Sequence, residues 1–175
     1  MRLYSELVGK QILSLSDGRR IGTVRDLYLD GDVHAIAAIH LGYDSLFGGN
    51  AGLIQRKKVV TFGRDAILTV DGEVVVVTRN SPPSLPETES WLPARQLLQR
   101  EVHTINGRSL GSVVDVILSE SELDMSGFVV RTHEAASEKV LATPRDELIL
   151  KGRRDGQQAA ILVQRPYPLL LLNAD

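Results

Sequence analysis

Alternation between apolar and polar side chains is the dominant pattern along this chain of 175 residues. In its clearest stretch, Ile21, Thr23 and Arg25 alternate with Gly22 and Val24. A period of two predicts a β-strand with one buried face. Similar short runs follow one another with turn residues between them, and little of the chain has helical spacing. The pattern therefore predicts an all-β fold.

The pattern predicts six strands in each half of the chain. In the first half they are Gln11–Leu15, Arg20–Asp30, Val33–Leu41, Lys58–Phe62, Ala66–Val70 and Glu73–Thr78. In the second half they are Glu101–Ile105, Ser109–Glu120, Gly127–Thr132, Lys139–Thr143, Glu147–Leu150 and Ala159–Val163. Each half opens with an amphipathic segment, residues 4–9 or 92–98, that predicts a short helical turn. The dipeptides Asp17-Gly18 and Asn106-Gly107 predict type I′ turns after the first strand of each half.

Both halves also share a set of identical residues at one offset (107 − 18 = 89). Gly18, Arg19, Gly22, Val24, Asp26 and Leu29 recur as Gly107, Arg108, Gly111, Val113, Asp115 and Leu118. A duplicated unit of this length predicts two small domains. The predicted plan is a first domain at 1–79, a connector rich in Pro and Ser at 80–90, a second domain at 91–164 and a C-terminal tail at 165–175.

The repeated residues are expected to serve the fold rather than a ligand site. Asp26 and Asp115 are expected to accept hydrogen bonds from the nearby backbone or from Arg19 and Arg108, and so to hold a corner of the sheet. A matched pair of carboxylates in a ligand site is the alternative, disfavoured because active sites seldom survive in both halves of a duplication. A glycine inside a strand weakens it, so its recurrence predicts a bend or a close backbone approach. The repeated glycines are Gly18, Gly22, Gly107 and Gly111.

Composition excludes several classes of function. Basic and acidic residues nearly balance, 20 against 22, so the net charge of −2 provides no general attraction to nucleic acid or to an anionic membrane. The chain has no cysteine, which excludes thiolate catalysis, disulfides and cysteine-based metal sites and fits a reducing compartment. No apolar stretch has the length of a signal-peptide core or a membrane span. We therefore expect a soluble cytoplasmic protein.

No catalytic or metal-binding constellation stands out from the sequence. The four histidines, His34, His40, His103 and His133, are scattered and lack the spacing of a helical metal pair. No Gly-x-Ser-x-Gly motif is present, and the glycine-rich segment 42–52 lacks the Gly-Lys-Ser/Thr ending of a phosphate loop. We expect no enzymatic activity, no cofactor and no metal.

Three segments are candidates for binding another protein: the glycine-rich segment 42–52, the basic cluster that follows it, and the C-terminal leucines. Their candidate residues are Tyr43, Leu46, Phe47, Arg56, Lys57, Lys58, Tyr167, Leu169 and Leu170. Each segment has a structural alternative. The loop side chains could instead cover the end of a barrel, the basic cluster could be solvated at a sheet edge, and the leucines could clasp the first domain.

The order of these features resembles the PRC-barrel family. In both halves, a strand precedes Asp/Asn-Gly-Arg, an apolar-Gly-x-Val-x-Asp strand, an apolar strand and a basic-apolar strand that ends before Arg-Asp. The resemblance implies two small antiparallel PRC-type β-barrels in tandem, with short helical turns. Related barrels occur in the H subunit of purple bacterial photosynthetic reaction centres and at the C-terminus of the ribosome maturation factor RimM.

Members of that family bind other macromolecules and share no catalytic residue set. The resemblance implies a non-enzymatic adaptor or assembly factor for a protein complex, such as a photosynthetic one. The alternatives are a ribosome- or RNA-associated maturation factor, which the net charge disfavours, and a small-molecule or metal-binding barrel. The expected partner is another protein or protein complex, and any membrane contact is expected to be peripheral and to run through that partner. The sequence has no transmembrane segment before the first barrel, which argues against the role of the H subunit itself.

Overall fold

The computed structural model describes residues 2–31, 33–42, 51–70, 74–77, 91–104, 106–119, 124–131, 138–142, 148–150 and 161–163. Most of these residues lie in strands, and the helical ones form the helix α1 (Tyr4–Leu7) and two 3-10 turns (Arg56–Lys58 and Ala94–Leu97). The predictions of an all-β class and of short helical turns at residues 4–9 and 92–98 are confirmed.

In chain order the strands are β1 (Arg2–Leu3), β2 (Gln11–Ser14), β3 (Arg20–Leu29), β4 (Ile36–Leu41), β5 (Ala51–Gln55), β6 (Val59–Phe62), β7 (Ala66–Thr69), β8 (Val75–Val77), β9 (Leu92–Pro93), β10 (Glu101–Thr104), β11 (Ser109–Leu118), β12 (Met125–Arg131), β13 (Glu138–Ala142), β14 (Leu148–Leu150) and β15 (Ile161–Val163). They divide between two compact units. The first-half unit comprises Glu6–Gly31 and Ile36–Pro93. The second-half unit comprises Met1–Ser5, Asp32–Ala35 and Ala94–Asp175.

The first-half unit is built on one sheet with the order β6-β7-β2-β3-β4-β5-β8, and β9 pairs with the end of β3. Large apolar side chains of these strands form its core, and Ile12, Leu27, Ile39 and Ile67 have no exposed surface. Burial of side chains this size stabilises the sheet by roughly 2 kcal/mol each. The core thus follows the apolar half of the alternating pattern in the sequence.

The second-half unit has the strand order β13-β12-β11-β10-β15-β14, and β1 pairs with the end of β11. Val102, Val116 and Phe128 are fully buried in it. The β10–β11 hairpin corresponds to β2–β3 of the first-half unit. In each unit the first hairpin strand also pairs in parallel with a strand from late in its half, β2 with β7 and β10 with β15.

Those parallel pairs correct the prediction of purely antiparallel sheets. Two other expectations also change. Strand β5 lies partly within the glycine-rich segment that had no strand assigned, and β13 takes the corresponding place beside β12. The shared Arg-Asp pair suggested that Lys139–Thr143 corresponds to Lys58–Phe62. The strand pairing shows that it corresponds to β5 instead. Among the described residues, both strand orders are open, so the predicted closure into barrels is not found in them.

The prediction that these two turns are of type I′ is wrong. Only the glycines, Gly18 (φ 70°) and Gly107 (φ 79°), are left-handed, whereas Asp17 and Asn106 are not among the described residues with positive φ. Two hydrogen bonds close the second turn, from Thr104 N–H to the Arg108 carbonyl and from Gly107 N–H to the Thr104 carbonyl (both 2.9 Å). Three-residue loops of this kind place glycine in the left-handed position, followed by a bulge.

The first turn is one residue longer. It is closed by the Ser14 N–H, which donates to the Arg19 carbonyl at 2.8 Å, and by the Gly18 N–H, which donates to Ser14 at 2.9 Å. The offset between the halves accordingly changes across the turn, from 90 at Gln11 and Glu101 (101 − 11) to 89 at the glycines.

The predicted connector at 80–90 and tail at 165–175 lie outside the described residues, so the proposed domain boundaries stay a prediction. The compact units differ from a simple division at the connector, because residues 1–5 and 32–35 fall in the second-half unit. None of the helices in the described part of the chain combines the length and the hydropathy that spanning a membrane requires.

Candidate functional site

The two repeated aspartates lie at equivalent β-bulges. The register of β3 against β4 shifts between Val24 and Asp26, and that of β11 against β12 shifts between Val113 and Asp115. A bulge removes one residue from the ladder and reverses the faces of the residues that follow. In both places the carboxylate accepts a hydrogen bond at 2.8 Å from the next backbone N–H, that of Leu27 or Val116. In both places the donor is a backbone N–H, one of the two kinds of donor that the sequence led us to expect.

Asp115 has a second partner that the sequence did not indicate. Its Oδ1 accepts the Ser5 N–H at 3.2 Å, and its Oδ2 accepts the Ser5 hydroxyl. Ser5 belongs to the N-terminal segment of the second-half unit. A carboxylate at 9% exposure is costly to bury without donors, and these bonds provide them. Ser5 lies outside the repeated motif, and only its place in a predicted helical first turn marked it out.

The two repeated arginines do not bind those aspartates as expected. Arg19 forms an ion pair with Asp17 at the exposed tip of the first turn. Asp115 accepts from Ser5 and Val116, whereas the Arg108 N–H donates to the Thr104 hydroxyl at 3.1 Å. Both arginines therefore act in the turns rather than at the bulges.

The basic cluster predicted at residues 56–58 forms a 3-10 turn between β5 and β6. Arg56 is held in place, since its guanidinium lies 5.3 Å from the Phe62 ring centroid and donates to the Val59 carbonyl at 3.3 Å. A cation over an aromatic face is attracted by the ring quadrupole. Lys57 is exposed and Lys58 is half-buried. Arg56 therefore differs from the two lysines of the cluster in packing against an aromatic ring.

Both lysines line a shallow pocket in the first-half unit with a volume of about 240 Å³. Leu53 and Val75, from paired strands β5 and β8, supply apolar surface, and Gln55 supplies an amide. We call this the lysine pocket, lined by Leu53, Gln55, Lys57, Lys58 and Val75. Cationic groups beside apolar surface suit an anionic group that carries an apolar neighbour. The sequence identified the two lysines but missed the other lining residues, because β5 was not predicted.

A group of aromatic side chains lies elsewhere in the first-half unit. The Tyr28 ring is 5.8 Å from His40 and 6.3 Å from Trp91, measured between centroids. All three side chains are half-buried, and the tilted geometry is typical of stabilising aromatic pairs. His40 and Tyr28 lie on paired strands, whereas Trp91 precedes β9, so these contacts help hold β9 against the sheet.

Several predicted binding residues lie outside the described residues. They are Tyr43, Leu46, Phe47, Tyr167, Leu169 and Leu170. Their assignment to a binding surface stays a prediction. Among the residues that the structure describes, no cluster of three or more His, Asp or Glu side chains is arranged to hold a metal ion.

Comparisons with known proteins address only part of the chain. No curated protein matches it. Residues 1–80 match the model of the PRC-barrel domain, which confirms the resemblance for the first half; the second domain predicted at 91–164 stays a prediction. PRC-barrel domains generally mediate protein interactions. The first 80 residues of this chain are therefore similar to the PRC-barrel domain, a family of protein-interaction modules.

Proposed function

We propose that this protein is a non-catalytic adaptor or assembly factor built from two PRC-type barrels in tandem. The observation that carries the proposal is the lysine pocket, which presents two cationic side chains beside apolar surface on the unit that contains the family match. The second barrel is supported by the shared strand order of the two units, including one parallel pair in each.

The chemistry of the pocket defines what the partner presents to it. Two ammonium groups attract a carboxylate, and Leu53 and Val75 favour an apolar side chain next to that carboxylate. Lys57 and Lys58 line the pocket and are the members of the cluster that we place against the partner. We propose an acidic, partly apolar segment of a protein complex as the ligand. The loop and tail residues predicted at 43–47 and 167–170 would extend this surface.

Charge reversal at the pocket tests the proposal. Lys57→Glu with Lys58→Glu in the full chain should abolish the capture of partner proteins from a lysate of the native host, because the reversed charges repel an acidic segment. Arg20→Glu with Arg25→Glu is the matched control, since both arginines are exposed and lie in the same unit. Equal capture by both double variants would refute the assignment of the pocket.

The same capture experiment separates a protein partner from a ribosomal one. A phosphate backbone would also attract the two lysines, and its binding would weaken steeply with salt. Capture should survive nuclease treatment if the partner is a protein. If nuclease removes every captured component, the alternative of an RNA-associated maturation factor replaces the proposal.

A further inference from the structure

Each compact unit is completed by a strand from the other half of the sequence. In the second-half unit, β1 pairs with β11 through Arg2 with Leu118 and Leu3 with Ile117. In the first-half unit, β9 pairs with β3 at the positions equivalent to Leu118 and Ile117. Neither half of the sequence therefore contains all the strands of its own sheet.

The β1 segment is anchored by side chains as well as by the ladder. Leu3 packs against the buried pair Ile117 and Val129. Two residues later, the backbone N–H and hydroxyl of Ser5 both donate to Asp115. A two-residue strand has little stability of its own, so these contacts determine where it binds.

The β9 segment is anchored at the corresponding place in the first-half unit. Leu92 and Pro93 pair with Leu29 and Tyr28, and the Trp91 ring contacts the Tyr28 ring. Tyr28 pairs with Ala38 of β4 on one side and with Pro93 on the other, so β9 lies on the edge of β3 opposite β4.

We propose that the chain exchanges its halves with a second copy of itself, residues 1–77 of one chain completing both units together with residues 91–175 of the other. The pairings of β1 with β11 and of β9 with β3 both join residues 2–77 to residues 91–131, and neither depends on the two segments sharing a chain. Only the link at residues 78–90 distinguishes the closed monomer from the exchanged dimer, which is the condition under which domain swapping is a low-cost route to association.

The length of that link favours the monomer in dilute solution. Strands β8 and β9 are separated by four strand spacings in the order β8-β5-β4-β3-β9, about 19 Å across the sheet at about 4.8 Å per spacing. The link has 13 residues (90 − 77) and spans this distance with ease. A tether of this length holds the segments that it joins at an effective concentration of about 1 mM, so exchange becomes appreciable only as the chain concentration approaches that value.

Shortening the link tests the proposal. Deletion of residues 79–89 leaves Thr78 and Ser90 between Val77 and Trp91, and three Cα steps reach at most about 11 Å. The deletion variant should be a dimer by light scattering at roughly 10 μM, about 100-fold below the effective concentration, whereas we expect the 19.2 kDa parent to be a monomer at that concentration. A control with residues 79–89 replaced by a Gly/Ser segment of equal length should remain monomeric. A deletion variant that stays monomeric, or that loses its β-sheet circular dichroism, would overturn the proposal, because the exchanged dimer keeps every strand pairing.

The parent-length chain offers a second test, since it contains no cysteine. Chains with Leu3→Cys and chains with Ile117→Cys are refolded together at about 1 mM and then oxidised. These residues are direct partners, and paired Cα atoms lie about 4.5–5.5 Å apart, within disulfide range. We expect at least tenfold more mixed disulfide than from Val8→Cys with Ile117→Cys, because exposed Val8 is no partner of β11. Equal yields would show that β1 does not cross between chains.

Discussion

At the scale of single residues, one pair of equivalent positions has the same left-handed backbone conformation but different side chains. Gly9 (φ 86°) and Gln99 (φ 66°) each follow the helical turn that opens a half, and both are left-handed. Their N–H groups donate to equivalent carbonyls, Gly9 to Val24 at 2.8 Å and Gln99 to Val113 at 2.7 Å. A residue with a Cβ is disfavoured in this region by about 1–2 kcal/mol, so the second half carries strain that the first avoids.

Replacing Gln99→Gly should therefore stabilise the protein. Gln99 is exposed, so the substitution removes no packing. Part of the relieved strain is offset by the entropy of glycine in the unfolded chain, which leaves a gain of about 0.5–1 kcal/mol in the free energy of unfolding. Urea denaturation measures the change. The reverse substitution, Gly9→Gln, should destabilise by a similar amount, and equal stability of both variants and the parent would contradict this reading.

The carboxylate of Asp17, in the first turn, makes a small and pH-dependent contribution to the free energy of unfolding. The Arg19 N–H, which donates to its Oδ1 at 3.1 Å, lowers the pKa of Asp17 below 3.8, with smaller contributions from Ser14 and the Arg19 guanidinium. A pKa that is lower in the folded state adds stability that is fully present above the unfolded pKa and is lost as the pH falls through the folded pKa. This contribution should therefore begin to decline near pH 3.8 and be lost once the pH is below the lowered pKa of the folded state.

NMR titration of the Asp17 carboxyl checks this direction. The pKa should lie below that of the same residue in an unfolded peptide. It should stay lowered in Arg19→Ala, because the largest cause is the backbone N–H, which alanine retains. A full return to the peptide value in that variant would instead assign the shift to the guanidinium.

At the scale of elements, the two strand glycines serve different purposes. Gly111 has φ 132°, and a Cβ there would collide with the Arg131 carbonyl oxygen of the neighbouring strand. Gly22 has no such φ, and its Cβ would lie 3.1 Å from Cδ2 of Leu41, the end of a side chain that can shift. The close backbone approach predicted from the sequence is found at Gly111.

The two positions should respond differently to alanine. Gly111→Ala should destabilise by about 3 kcal/mol or more, because two strand backbones would have to separate. Gly22→Ala should cost about 1 kcal/mol, since Leu41 adjusts. Thermal and urea denaturation of the two variants measure the difference. Comparable losses at both positions would mean that the backbone contact at Gly111 is not what limits substitution.

At the scale of the whole molecule, the N-terminal segment should protect a distant part of the sequence. Deleting residues 1–3 removes β1 from the edge of β11. Amide exchange in a peptide containing Ile117 and Leu118 should accelerate by roughly fivefold to tenfold, the equivalent of about one lost hydrogen bond. Hydrogen–deuterium exchange with mass spectrometry measures this rate.

The equivalent peptide of the first-half unit supplies the control. Tyr28 and Leu29 pair with β9 rather than with β1, so their exchange should not change in the same variant. Acceleration in both peptides would indicate general destabilisation. Unchanged exchange at Ile117 and Leu118 would show that β1 contributes nothing to the stability of β11.

The candidate site could be predicted only in part. Lys57 and Lys58 were identifiable because a run of basic residues is visible in any sequence. Leu53 and Val75 were not, because a pocket forms where strands from separate segments meet, and the pairing of β5 with β8 is a long-range contact. The role of Asp115 was predicted from its recurrence, but its donor Ser5 lies 110 residues away.

By itself, the sequence determined the all-β class, the hairpin at the start of each half, the core faces of the long strands and the equivalence of the repeated residues. These features follow from local periodicity, which decides the face on which each side chain is buried. Tertiary structure alone decided the parallel pairs, the bulge register at Asp26 and Asp115, and the pairing of β1 and β9 with strands of the opposite half. Strand partners are selected by the packing of the complete sheet, and local periodicity is the same whichever strand lies alongside.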